Sequence, residues 1–252
     1  MPAYTDNEIF SRSRLLLGDD AMGRLAQARV IVFGIGGVGS WTAEALVRTG
    51  LKHITLVDAD RVAVSNINRQ APATTLTVGE PKTEAMRRLL LSISPDAHID
   101  IVTGIYTAET ADSFDLESYD YIVDAIDSLA DKALLIHNAT RARRPRLFSS
   151  MGAALKLDPT RIRTAEFSRV TGCRLAAALR RKFKKSDLSP ARKFPCIYSD
   201  ELLPNRGALP DASDGSMTYG KVAVNGSLCH ITAIFGLTLA GLIVRAIAAK
   251  AD

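Results

Sequence analysis

The stretch Arg29–Arg69, RVIVFGIGGVGSWTAEALVRTGLKHITLVDADRVAVSNINR, decides the fold. Val30–Phe33 is a β-branched and aromatic run, which favours a strand. Gly34, Gly36 and Gly39 follow as GxGxxG. Trp41–Thr49 has helical spacing, and Gly50 is placed to end that helix. Ile54–Val57 is the next strand, closing on Asp58 and Asp60. Strand, glycine turn, helix and strand make a βαβ unit with a nucleotide fingerprint in its proper context.

Each glycine has its own physical task. Gly34 allows the tight turn, Gly36 lets phosphate oxygens approach the backbone, and Gly39 lets the helix pack close to the strand. The first amides of the helix that starts at Val38 lack internal partners and point at a ligand. Asp58, at the carboxyl end of the second strand, can accept hydrogen bonds from a ribose. It lies within a few residues of the usual offset of about 20 after the fingerprint.

The fingerprint alone fits a nicotinamide or flavin dinucleotide. The next residues favour a triphosphate. Asn66, Arg69 and Lys82 gather just beyond the ribose acid. Two cations neutralise charge that builds up as pyrophosphate leaves, and Asn66 can bond ribose or phosphate. Pro81 suits the start of a helix, whose positive end would add to the charge of Lys82.

GIGGVGS, LVDAD, SNINRQ, GEPK and VDAIDS occur in that order between Gly34 and Ser128. As a set they resemble the ubiquitin-activating-enzyme-like adenylating enzymes, which include the bacterial ThiF/MoeB-like enzymes that adenylate sulfur carriers. The resemblance implies a single adenylating domain over residues 1–252. Its fold would be Rossmann-like and doubly wound, with a mainly parallel sheet extended by antiparallel strands, in a homodimer. It implies ATP and Mg²⁺ as cofactors and a carboxylate as the group adenylated. By the same resemblance Gly37, Asp58, Asn66, Arg69 and Lys82 contact ATP, beside Gly34, Gly36 and Gly39 of the turn. Asp127, with Ser128 next to it, is the acid at the Mg²⁺ and phosphate end. Arg14 reaches the neighbouring subunit's phosphates. Arg69, Lys82, Arg14 and Asp127 are therefore the expected catalytic set.

With 252 residues, 47% of them hydrophobic, the chain can fill one large α/β core. A net charge of +5 points weakly to an anionic partner, because 32 basic residues face 27 acidic ones. The three cysteines, Cys173, Cys196 and Cys229, make no disulfide framework, and the start, MPAYTDNEIF, has no signal-peptide character. A cytoplasmic protein is expected.

Outside the decisive stretch, an amphipathic helix is expected over Asn7–Leu17, carrying Arg14, with Gly18–Ala28 leading into the first strand. Pro81–Ser92, Ala108–Phe114 and Asp131–Arg141 read as helices. Ile99–Val102, Tyr121–Asp124 and Leu147–Ser149 read as strands. Ala153–Leu157 and Ile162–Phe167 read as two more, joined at Asp158-Pro159, so the pattern turns from βα units to a β meander. Asp124 and Asp127 close a strand where open parallel sheets bind ligands; Asp124 can equally cap the following helix.

The segment RLAAALRRKFKKSDLSPARK, Arg174–Lys193, lies in a basic insertion or crossover over residues 170–220. Its Arg180, Arg181, Lys182, Lys184, Lys185, Arg192 and Lys193 are candidate tRNA-binding residues. Phosphate binding there would weaken steeply with salt, and Phe183 and Phe194 could stack on unpaired bases. The competing reading is a solvated charged face with its phenylalanines in the core. The cysteines and four histidines show no paired spacing, so no zinc is expected.

Together with FPCIYSDE near Cys196 and GSLCHITAIFG near Cys229, the insertion resembles one branch of the family, the tRNA threonylcarbamoyladenosine dehydratases. That branch implies ATP-dependent cyclisation of threonylcarbamoyladenosine through an activated threonyl carboxylate. Attack by the substrate's own carbamoyl oxygen requires no catalytic cysteine. Adenylation of the C-terminal glycine of a ubiquitin-like sulfur carrier is the alternative. A nucleotide-sensing module without turnover is a third reading. Partners would be tRNA and a second copy of the chain, with room for a cysteine desulfurase or sulfur-acceptor relay. The run over residues 228–250 is apolar and nearly long enough to span a membrane. Burial as a core or dimer helix is expected, with peripheral membrane association the other use and no integral membrane partner. His230 reads as a satisfied core or interface histidine.

Overall fold

The computed structural model describes residues 4–208 and 225–249. Three helices come first: α1 (Asp6–Ile9), α2 (Ser11–Leu17) and α3 (Asp19–Gln27). β1 (Arg29–Phe33), α4 (Gly39–Thr49) and β2 (His53–Val57) form the βαβ unit read from the sequence. Gly50, at φ +117°, ends α4 in the left-handed conformation. α5 (Lys82–Ile93), β3 (His98–Val102), β4 (Tyr121–Asp124), α6 (Leu129–Ala139) and β5 (Arg146–Ser150) continue the alternation. β6 (Ile162–Glu166), α7 (Arg174–Lys185), β7 (Pro195–Ser199) and α8 (Cys229–Ala248) complete it.

The seven strands form one sheet in the order β3-β2-β1-β4-β5-β7-β6. All neighbours are parallel except β6, which runs antiparallel to β7 from Ile162↔Ser199 to Glu166↔Pro195. β1 is buried on both sides, as a central parallel strand must be. Its Val30 and Val32 join one core layer with α4, α5 and α8. Ile31 and Phe33 join the other, with α6 and α7.

α8 packs directly on α4. A Cβ on Gly236 would lie 2.5 Å from the Val38 carbonyl, so only glycine allows this approach. The Thr42 hydroxyl donates to the Gly236 carbonyl at 3.1 Å. Ile231, Phe235, Leu239, Ile243 and Ile247 turn inward. Leu237 is exposed on the other side, so α8 is buried on one face only. By length and composition alone it could cross a membrane.

Several sequence expectations need correction. The N-terminal helix is two helices broken at Phe10, the one residue there that enters the core. Gly18, at φ +79°, then starts α3, a full helix where only a connection was expected. Residues 108–114 hold a single 3₁₀ turn, Ala111–Ser113. Ala153–Leu157 is not a strand. Leu155 has φ +60°, and its backbone pairs with Gly226 and Leu203 instead of a sheet neighbour. The expected meander is therefore a crossover: β7, inside FPCIYSDE, inserts between β5 and β6. Of the basic crossover, residues 209–220 lie outside the described residues.

Candidate nucleotide-binding site

The strand order reverses at β1 and β4, and the loops after their carboxyl ends meet there, where open α/β sheets bind ligands. Gly34 turns at φ +89°, and its amide donates to the Val57 carbonyl at 2.8 Å. A Cβ on Gly34 would sit 2.7 Å from the Ala125 carbonyl. The turn after β1 thus rests on the loop after β4. A Cβ on Gly39 would lie only 1.8 Å from the Gly34 carbonyl, whereas one on Gly36 would meet nothing nearer than Gln70 Nε2 at 4.0 Å. These spacings match the structural tasks expected of Gly34 and Gly39 and leave open space over Gly36. A Cβ on Gly37 would lie 3.0 Å from the Thr232 side chain of α8.

Asp58 ties the turn to β2. Its Oδ2 accepts the Ile35 amide at 2.6 Å, and its Oδ1 accepts the Asp60 amide at 2.8 Å. Each oxygen keeps a second lone pair for a ribose hydroxyl. Burial pushes the carboxyl above the ordinary aspartate value, opposed mainly by Lys82. Lys82 is the first residue of α5; its Nζ lies 2.7 Å from Asp60 Oδ2 and 3.9 Å from Asp58 Oδ1. Asp60 therefore holds the lysine beside Asp58.

Asn66 is buried, and its Oδ1 accepts the Ala63 amide at 3.1 Å, closing the loop that carries Arg69. The Arg69 Nη1 donates to the Ser65 carbonyl and to Asn68 Oδ1, both at 2.8 Å. Trp41 Nε1 donates to the Arg69 carbonyl at 3.0 Å. Burial lowers the Arg69 pKa, and the charge of Asp127 opposes that, so this acid and this guanidinium share one electrostatic neighbourhood. Gln70, which the sequence reading passed over, is buried beside Gly36 with its Oε1 unpartnered.

Asp124 does not cap α6. Its Oδ2 accepts the Ser149 hydroxyl at 2.6 Å and lies 2.7 Å from Lys132 Nζ, with both ionic side chains fully buried. Ser128 takes the N-cap position instead, without a side-chain bond. Lys132 was also missed. The signal was present: it shares a helical stripe with the buried Leu135, Ile136 and Ala139, where a charge requires a partner.

Arg14 pairs with Asp19 on the neighbouring helix, and its Nε is buried without a partner. On the basic helix α7, Ala176 and Leu179 face inward while Arg181, Lys184 and Lys185 are exposed. The phenylalanines belong to the core, contrary to a base-stacking role. Phe194 stacks on Phe167 with ring centroids 5.1 Å apart, and Phe183 meets Phe167 edge-on at 5.9 Å. Arg192 donates to the carbonyls of Ala139, Thr140, Ala142, Arg143 and Pro145, which close the end of α6. Lys193 is exposed beside it. Arg180 is partly buried over the Phe167 ring.

Cys196 is buried and burial pushes its thiol strongly up, so it stays protonated. Cys173 is also buried, and Cys229 is exposed. His230 is exposed, not in the core, with its Nε2 3.0 Å from the Leu157 carbonyl. Among the described residues no three His, Cys, Asp or Glu side chains gather as metal ligands.

A doubly wound sheet with a glycine turn at its switch point, and Arg69, Lys82 and Asp127 on the loops around it, has the architecture of a nucleotide-binding α/β protein. The chain belongs to the ThiF family, whose model matches residues 10–251. It is 38% identical over 192 residues to the tRNA threonylcarbamoyladenosine dehydratase of Bacillus subtilis, covering 76% of this chain and 74% of that protein. The Escherichia coli protein of the same name is 34% identical over 259 residues, covering 96% and 94%. The crystal structure of E. coli tRNA N6-threonylcarbamoyladenosine dehydratase, TcdA, in complex with ATP superimposes with a TM-score of 0.84. That match is at 32% identity and covers 98% of each chain.

Proposed function

We propose that this chain is an ATP-dependent tRNA threonylcarbamoyladenosine dehydratase. The observation that carries the reading is the gathering of Arg69, Lys82 and Asp127 around the glycine turn, in a chain similar over nearly its whole length to dehydratases of that name. The threonyl carboxylate attacks the α-phosphate of ATP and pyrophosphate departs. The substrate's carbamoyl oxygen then attacks the adenylated carboxyl carbon, and AMP leaves with one former carboxylate oxygen. The nucleotide product is a ring one water lighter than its precursor.

The protein's part is positioning and charge. Asp58 orients the ribose, and Lys82 and Arg69 receive phosphate charge as pyrophosphate leaves. Asp127, with Ser128 beside it, would supply a hard oxygen ligand of the kind magnesium takes, and the ion would neutralise phosphate charge there. The sulfur-carrier alternative is less well supported, because the dehydratase likeness extends through the second half of the chain.

A homodimer is part of the proposal. α2 leaves Leu15 and Leu16 81% and 85% exposed beside Arg14. A second copy covering them would bury that apolar surface and bring Arg14 towards the partner's phosphates.

Mass spectrometry of tRNA nucleosides after incubation with protein and ATP tests the function. Loss of one water from the modified adenosine is expected; an unchanged mass from tRNA that carries the modification refutes it. The tRNA surface is tested separately. Reversing Arg181, Lys184 and Lys185 to Glu should weaken tRNA binding. The slope of log affinity against log salt should flatten by about two to three, at roughly 0.7–0.9 for each phosphate no longer neutralised. An unchanged slope would make α7 bystander charge.

A further inference from the structure

We propose that the buried Asp124–Lys132 pair is a positioning device for the adenylation step, fixing the loop over residues 125–128 so that Asp127 stands at the phosphate turn before nucleotide arrives. The inference rests on the functional reading above for the role of Asp127.

The pair holds one peptide unit from both sides. Ile126 donates its amide to Asp124 Oδ1 at 3.2 Å, and its carbonyl accepts from Lys132 Nζ at 3.1 Å. Ser149 of β5 fixes the other oxygen of Asp124 at 2.6 Å. One residue earlier, the Ala125 amide donates to the Phe33 carbonyl at 2.9 Å, and the Ala125 carbonyl lies against Gly34. Residues 125 and 126 are thereby anchored to β1, to the glycine turn, to β5 and to α6. Asp127 follows immediately.

The chemistry of the pair argues for a role beyond cohesion. Lys132 and Asp124 are both fully buried, against a hydrophobic cluster and the buried Ser149 hydroxyl. Apolar residues of similar volume commonly replace a buried ion pair without loss of stability. An apolar side chain at position 132 could not donate to the Ile126 carbonyl. Cys196 pairs in register with Ser149 on the adjacent strand, and as a neutral thiol it adds no second negative charge to the cluster. Lys132 touches no reacting atom on this reading; it acts through the loop. A displacement of about 1 Å at a catalytic group can cost roughly 10²-fold in rate.

The test is a double-mutant cycle on the full chain, assayed with ATP, magnesium and modified tRNA. Asp124→Asn with Lys132→Met removes both charges together and leaves no orphan ion. The expected result is a kcat at least about tenfold lower, with AMP affinity within twofold of the parent protein, because AMP lacks the phosphates that Asp127 serves. In an Asp127→Ala background the same pair of substitutions should lower kcat no further. Full kcat in the double variant, or an undiminished extra loss in the Asp127→Ala background, would overturn the proposal. If the substituted chain does not fold, hydrogen exchange on the unmodified protein decides. The Ile126 amide should exchange as slowly without nucleotide as with ATP; fast exchange that slows only on adding ATP would overturn it. Failure of the parent protein to remove water from the tRNA would instead refute the functional reading, and the exchange result would stand apart from it.

Discussion

Lys82→Ala should lower AMP formation by about 10²–10³-fold, the usual loss when one charge-stabilising donor is removed from a transition state. Lys82 is buried at the start of α5, so its charge adds to the helix's positive end and little water can substitute for it. Arg69→Ala should lose a similar amount, because its guanidinium stands on the Asp127 side of the turn. The two losses should be less than additive, since both cations serve the same departing charge. Rapid-quench measurement of AMP under saturating ATP separates this from a binding defect, and circular dichroism reports the fold. Near-normal turnover in either variant would remove that residue from the mechanism.

The same substitution has a pH signature. Burial raises the Asp58 pKa above its ordinary value, and Lys82 is the largest influence holding it down. Its carboxylate, the form that accepts two ribose hydrogen bonds, exists above that raised value, so ATP affinity should weaken as pH falls through it. Removing Lys82 should move this acid limb to higher pH. Stability follows the same sign. A group whose folded pKa is raised adds stability that is fully present below its unfolded value of about 4 and lost as pH rises through the folded value. Lys82→Ala should extend that loss to higher pH. Calorimetric titration of ATP and thermal melts from about pH 4 to 8 would register both shifts; an acid limb that does not move would separate Lys82 from Asp58.

The βαβ core was legible because its signals are local. Strand residues, glycine spacing and a terminal acid all fall within one short window, and backbone geometry leaves little choice among them. Gly34 and Gly39 behave as their positions in the pattern require. The second half was harder to read because its pairing is not local. β7 begins with a proline and lies between two strands that precede it in sequence, so no periodicity around Cys196 announces it. Ala153–Leu157 has strand composition but spends its backbone bonds on Gly226 and Leu203, partners that only the folded chain brings near. Lys132 shows the same limit at the site. Its apolar stripe flags a buried charge, but the identity of its partner depends on how β4 and α6 meet. The phenylalanines of the basic segment looked available for bases because composition cannot say which way a ring turns.

Gly39→Ala and Gly36→Ala should separate the two jobs of the turn. At Gly39 a methyl group would overlap the Gly34 carbonyl at 1.8 Å, and that carbonyl is itself pinned, because Gly34 carries φ +89° and rests on Ala125. Relief requires α4 to move away from β1, but α8 holds α4 through the close approach at Gly236. Gly39→Ala should therefore cost at least about 3 kcal/mol, at the upper end for overpacking, and lower the melting temperature clearly. At Gly36 the space is open in the protein alone, with Gln70 Nε2 at 4.0 Å as the nearest neighbour. Alanine there should leave the melting temperature within a few degrees of the parent. The methyl group would instead occupy the approach of the phosphates, weakening ATP by about tenfold or more, equivalent to roughly 1.4 kcal/mol. Thermal melts and ATP titration on the two variants give opposite patterns if the turn is built this way. A Gly36→Ala protein that binds ATP normally would mean that the phosphates do not pass over this glycine.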